Sequence, residues 1–173
     1  NKVEIEIFMT TFQPDPETVA TESLSSTELV DELLEEVTGK NYVDVIQTVI
    51  SSMEQENSAM VSHSDAGWIW KFKYGSVEVF VQLTGCTDDD TLTVWSSVLN
   101  LPAKNEPELM RKLLEMNGAE TVEARFAIVN NQVVVISTRT IAEISPGEIS
   151  RAITIVATIA DNNDEALQQE FGQ

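Results

Sequence analysis

Apolar and polar residues change period several times along this chain, and each change marks an element. Val3, Ile5 and Ile7 alternate with Glu4 and Glu6, the period of two that predicts a short strand with one wet face. Pro14 and Pro16 break the chain after it, and residues 13–25 read as a linker rich in Thr, Ser and Glu. The period then lengthens. Leu29, Val30, Leu33, Leu34 and Val37 form the stripe of a helix over 26–37, capped by Ser25 or Ser26 and stopped at Thr38-Gly39. A second helix is predicted from Asn41 to Gln55, with Tyr42, Val45, Ile46, Val49, Ile50 and Met53 on its buried face.

Strict alternation returns at Trp68. Trp68, Trp70, Phe72 and Tyr74 alternate with Ile69, Lys71 and Lys73, and after Gly75-Ser76 so do Val77, Val79, Val81 and Leu83 with Glu78, Phe80 and Gln82. Two alternating runs joined by Gly-Ser predict a hairpin, because Gly supplies the positive φ of a type II′ turn. A third strand is predicted over Thr91–Val98, with its pattern slipping at Trp95, the signature of a bulge or an early end. Asn105-Glu106-Pro107-Glu108 opens a helix with Asn as cap, and Asn117-Gly118 closes it. Residues 124–130 and 132–140 make a second hairpin turning at Asn130-Asn131, and Val133-Val134-Val135-Ile136, apolar on both faces, is expected inside the sheet. Ser145-Pro146-Gly147-Glu148 is a capping box, with Ile144 and Ile149 placed as its hydrophobic staple. In the helix that it opens, Ile149, Ile153, Val156 and Ala160 form one stripe, and Ile155 and Ile159 a second on another side. A helix apolar on more than one side is deeply buried or covered by another chain. Beyond Asp161-Asn162-Asn163-Asp164 it continues or restarts, using Leu167 and Phe171.

Strands and helices thus come in separate groups. That order predicts an α+β fold in which an antiparallel sheet, a three-strand and a two-strand segment, packs against helices. The 173 residues divide into an extension, 1–37, and a domain, 38–173.

Charge narrows the function. The chain carries 10 Lys and Arg against 29 Asp and Glu, a formal net charge of −19. Nucleic-acid binding needs clustered cations to neutralise phosphates, and an anionic membrane needs the same, so neither partner is expected. The acid is uneven: net −12 in 1–65, −2 in 66–101 and −5 in 102–173. Such a surface is first a solvated, self-repelling face, and otherwise a face for a basic partner. One cysteine, Cys86, and one histidine, His63, exclude an intramolecular disulfide, a Cys-based zinc site and a two-His metal site. A cytoplasmic protein is expected.

The Trp/Val hairpin 68–83, the segment Leu113-Leu114-Glu115-Met116-Asn117, the strand Arg125-Phe126-Ala127-Ile128 and the helix start Ser145–Ala160 together resemble the YbjN family, whose fold is that of the secretion chaperones of type III systems. The resemblance covers about three quarters of the chain, from Asn41 onward. It implies a compact α+β domain, often homodimeric, and, in the chaperones, an extended segment of a partner bound over the surface. Fold alone does not fix function.

No motif requires catalysis. Asp88-Asp89-Asp90 offers carboxylates to a hard cation, but the twelfth position counted from Asp88 is Leu99, where an EF-hand closes with Glu, and the three read as a polar strand connection. Ser62-His63-Ser64-Asp65 holds triad residue types, yet adjacent residues cannot face one another, and the stretch reads as a loop. Cys86, beside three Asp, lacks the cation that activates a thiolate. No cofactor is implied. The expected function is a non-enzymatic protein-interaction domain, chaperone-like, that holds a protein or peptide partner. The alternatives are an assembly or regulatory factor for one complex and, more remotely, a small metal-dependent domain using the Asp88–Asp90 loop. Alternating Trp is first a core pattern, but Trp is also enriched at interface hot spots. Trp68, Trp70 and Trp95 are therefore the partner-binding candidates, and Ile155 and Ile159 the oligomerisation candidates of a homodimer.

Overall fold

The computed structural model describes residues 42–54 and 57–173, so the strand and helix expected within 1–37 lie outside the described residues. A helix, α1 (residues 42–53), precedes four strands: β1 (Met60–Ser64), β2 (Gly67–Tyr74), β3 (Val77–Leu83) and β4 (Thr91–Asn100). Then come α2 (Glu106–Ala119), the hairpin β5 (Arg125–Val129) and β6 (Gln132–Thr140), and α3 (Pro146–Phe171). The six strands form one antiparallel sheet in the order β1-β2-β3-β4-β6-β5. The α+β class and the antiparallel sheet hold as read from the sequence.

One face of the sheet and the helices make the core. Trp70, Phe72, Val79, Val81, Leu92, Val94, Val133 and Val135 point to it and meet Ile46 and Ile50 of α1, Leu109 and Leu113 of α2, and Ile149, Ile153, Val156, Ala160, Leu167 and Phe171 of α3. Period-two burial in the strands and period-3.6 burial in the helices are what two packed layers require. β6 lies between β4 and β5, as its doubly apolar run predicts.

Turn chemistry sets the hairpins. At the β2–β3 turn Gly75 has φ 54 while Ser76 is not left-handed, and at the β5–β6 turn Asn130 and Asn131 have φ 49 and 64. Those are the positions where only Gly, or an Asn that tolerates the left-handed region, turns the chain cheaply.

Four local expectations are corrected. Ser62-His63-Ser64 is not a loop: it belongs to β1, an edge strand with all five residues exposed, so no buried alternation marks it. Trp95 keeps register, opposite Phe80 and Ile136, and the irregularity falls between Ser97 and Leu99. The apparent slip arises because Trp95 points to one face and Val94 to the other. Asn105 does precede α2, but in a left-handed conformation (φ 45) and without capping through its side chain, whose amide donates to Glu108 instead. Nor does Asn117-Gly118 end α2, which runs on to Ala119. The Asn117 side chain turns instead to the free edge of β5, accepting from the Phe126 N–H at 2.7 Å and donating to the Phe126 carbonyl at 3.2 Å. One side chain there satisfies a backbone pair that a neighbouring strand would otherwise take.

α3 is a single helix of 26 residues through Asp161-Asn162-Asn163-Asp164. Its capping box is complete: the Glu148 N–H donates to Ser145 Oγ at 3.2 Å and the Ser145 N–H to Glu148 Oε2 at 2.9 Å. Arg139 Nη1 adds a bond to Glu148 Oε1 at 2.7 Å. The Ser145 backbone N–H first, then Arg139 and the Ser145 hydroxyl, hold the Glu148 carboxyl at about 2, below its usual 4.5. A depressed folded pKa contributes stability that is present above the unfolded value and is lost as pH falls through the folded one. The thermal midpoint of the wild type therefore falls as pH drops from about 4.5 toward about 2, and Glu148→Gln, which keeps the box but cannot titrate, shows a shallower fall. Parallel wild-type and variant curves over that window would remove Glu148 from the acid response.

Candidate protein-interaction surfaces

β1 pairs with β2 on one side only, and among the described residues no strand occupies its other side. Such an edge offers a row of N–H and C=O groups to any extended chain. Met60 is 61% exposed and Val61 50%. Behind the edge, between β1 and α1, lies a concavity of about 230 Å³ lined by Gln47, Ile50 and Ser51 of α1 and by Met60, Val61 and Trp70.

Register explains how Trp70 reaches it and which side chains share its face. Val61 lies opposite Trp70 and His63 opposite Trp68, so all four point to the α1 side. The His63 ring stacks on Trp68 with centroids 4.1 Å apart and planes at 22°, and Trp68 lies 6.0 Å from Trp70 at 17°. Trp70 is 2% exposed, and among the described residues its buried indole N–H has no acceptor. A buried donor left unmade costs about 1–3 kcal/mol.

The opposite sheet face carries a different row. The register aligns Lys71, Phe80, Trp95, Ile136 and Arg125 across five strands, all pointing away from the core. Phe80 and Trp95 stack at 5.3 Å and 11°, and Lys71 Nζ lies 5.6 Å from the Phe80 centroid and 2.7 Å from Glu78 Oε1. At the sheet's far edge, Leu114 of α2 is 71% exposed, and Val122, Ile128 and Val129 are exposed nearby in sequence.

The partner candidates thus divide. Trp68, half-buried, and Trp70, beneath the groove, stand together, while Trp95 is half-buried on the other face. Ile155 and Ile159 are half-buried on α3 and pack against the core. Met60, Val61 and His63 were missed by sequence reasoning. The available signal was Asp65-Ala66-Gly67, a turn sequence set between Met60–Ser64 and the Trp strand.

The remaining polar features serve structure. Asp90 accepts from the Thr87 N–H (2.9 Å), the Thr87 hydroxyl (2.8 Å) and the Thr84 hydroxyl (2.8 Å), which closes the β3–β4 turn. Those bonds, the Thr87 N–H first, push its carboxyl below the usual range. Asp88 and Asp89 point to solvent, and among the described residues no group of three His, Cys, Asp or Glu is placed to hold a metal. A concavity of about 500 Å³ near the β4 bulge is lined by Asn100, Lys104, Gln132 and Gln168, a set without a paired nucleophile and base. No helix among the described residues is long and apolar enough to cross a membrane.

A family model for YbjN, described as "Putative bacterial sensory transduction regulator", matches residues 42–169. No curated protein matches the sequence. Among solved structures, a chain of the crystal structure of the ExsC–ExsE complex is similar, with a TM-score of 0.55 and 12% identity over 75% of this chain and 95% of that one. That likeness is one of fold, and it agrees with the secretion-chaperone architecture read from the sequence.

Proposed function

The chain belongs to the YbjN family, and from that premise we propose that it is a non-enzymatic, chaperone-like interaction domain that holds an extended segment of a polypeptide partner. One observation carries the reading: among the described residues the outer edge of β1 is unpaired, and it stands beside a mostly apolar groove that Trp70 helps to line. A segment laid along β1 gains main-chain hydrogen bonds from the edge and side-chain burial from the groove. Trp68 and Trp70 form the aromatic wall on that side. Trp95, with Phe80, meets a partner that wraps round to the other face. The similar solved chain comes from a complex of two proteins, which supports a protein partner. The net charge of −19 keeps a loaded complex soluble and gives nucleic acid no footing. The reading places the protein in the cytoplasm, as a homodimer whose domain spans 38–173 and whose subunits meet through the Ile155/Ile159 flank.

Copurification with full-length tagged protein from the native host, followed by the same experiment with variants, tests it. One or two stoichiometric partners are expected, retained by the wild type and reduced more than tenfold by Val61→Asp, which puts a charge where the groove is apolar. Trp95→Ala is expected to weaken retention less. Equal recovery by wild type and Val61→Asp would sink the groove as the binding site.

The family description favours a second reading, a regulator docking on one folded complex. Hydrogen exchange separates the two. A segment-holding domain shows a strip of protection along β1, and a docking regulator one compact footprint.

A further inference from the structure

The sheet face turned away from the helices breaks the pattern of a wet face. An antiparallel sheet packed on one side alternates apolar-in with polar-out. Yet Phe80, Trp95 and Ile136 stand side by side on the outer face, half-buried, with no helix of the described residues packed over them. We propose that this face is a second docking surface, and that its occupant is an acidic amphipathic helix of a protein partner, seated on Trp95. The inference rests on the partner being a polypeptide and adds the chemistry of what meets Trp95.

Charge on this face runs against the charge of the molecule. In a chain of net charge −19, the strand residues turned to it carry three cations, Lys71, Lys73 and Arg125, and one carboxylate, Glu78. Lys71 engages that carboxylate at 2.7 Å and lies over the Phe80 ring at 5.6 Å. Arg125, at the other end of the row, is exposed and makes no ion pair among the described residues. A carboxylate-bearing partner is therefore drawn to this face and repelled by the rest of the surface, which orients it before contact.

The backbone selects a helix. β2, β3, β4 and β6 each have a strand on both sides, so the main-chain groups beneath this face are spent on the ladders. An extended segment laid flat on it gains no main-chain bonds, whereas a helix satisfies its own. The β1 edge suits an extended segment for the opposite reason. Spacing agrees. Trp95 on β4 is two strands from Lys71 on β2 and two from Arg125 on β5. At about 4.8 Å per strand the two cations stand about 19 Å apart. A helix about 10–12 Å across, lying along β4, leaves about 4 Å on each flank, an ion-pair distance. Thr93 and Ser97, before and after Trp95 on the same face, are small and let the helix lie close.

Fluorescence anisotropy on the full chain tests the proposal with three labelled probes. The first is a synthetic helical peptide with a leucine stripe and Glu at its other positions. The second has Lys in place of each Glu, and the third is an oligo-dT of similar length. At low salt the Glu peptide is expected to bind at least tenfold tighter than the Lys peptide, the reverse of the order that net charge alone sets. Arg125→Glu, at an exposed position, weakens the Glu peptide at least tenfold with an unchanged thermal midpoint, and Trp95→Ala weakens it as well. Val61→Asp, on the other face, leaves its affinity unchanged. Equal binding of the Glu and Lys peptides overturns the inference, and so does equal affinity in wild type and Arg125→Glu. Tighter binding of the oligonucleotide overturns it in favour of a nucleic-acid platform, and Glu-peptide affinity that falls as the protein self-associates overturns it in favour of a second copy. If Val61→Asp releases the Glu peptide and Arg125→Glu does not, this face fails and the β1 groove stands. If Arg125→Glu releases the peptide while Val61→Asp keeps its copurified partners, the groove fails and this face stands.

Discussion

Replacing Gly75 by alanine lowers folding stability by about 2–3 kcal/mol, far beyond an ordinary turn substitution. Two costs add. Gly75 sits at φ 54, where a Cβ is strained, and a Cβ built there meets Asp161 Oδ1 at 1.9 Å. The carboxylate has to move, and it then gives up the Ser76 N–H (2.7 Å) and the Ser76 hydroxyl (3.0 Å). Those bonds tie the β2–β3 turn to the middle of α3, and Asp164 joins them through the same hydroxyl at 3.0 Å. Urea unfolding of a double-mutant cycle checks the mechanism. In an Asp161→Ala background the clash and the bonds are already gone, so Gly75→Ala then costs only the backbone strain of about 1 kcal/mol. Strictly additive single and double variants would show that Gly75 and Asp161 do not act on one another.

The same contact shows why part of this fold is legible in the sequence and part is not. The two tight hairpins were readable because Gly75-Ser76 and Asn130-Asn131 carry their turn geometry locally. The capping box at Ser145 was readable for the same reason. Asp161-Asn162-Asn163-Asp164 leaves open in the sequence whether the helix continues or restarts, because four polar residues seldom sit inside a helix. Their justification is Ser76, 85 residues away from Asp161 in sequence, and no local pattern reports it. β1 was unreadable by alternation because both of its faces are exposed. At the candidate site the Trp ladder was visible, but the groove was not. It exists only where Ile50 of α1 comes beside Val61 of β1.

Two isoleucines two residues apart on α3 should behave differently, and the contrast bears on how the protein assembles. Ile153 is fully buried in the core, and Ile153→Ala costs about 3–4 kcal/mol through lost burial and the cavity left behind. Ile155 is half-buried at the core's margin, and Ile155→Ala costs about 1 kcal/mol. If subunits meet through the second stripe, the double variant Ile155→Asp/Ile159→Asp halves the mass seen by light scattering while leaving a cooperative unfolding transition. An unchanged mass, with the fold intact, would exclude that flank as the contact. The exposed apolar residues around α2 and β5 would then be tested by Leu114→Asp. Leu114 is 71% exposed, so its substitution costs the monomer little, and any change in mass reports on association rather than on folding.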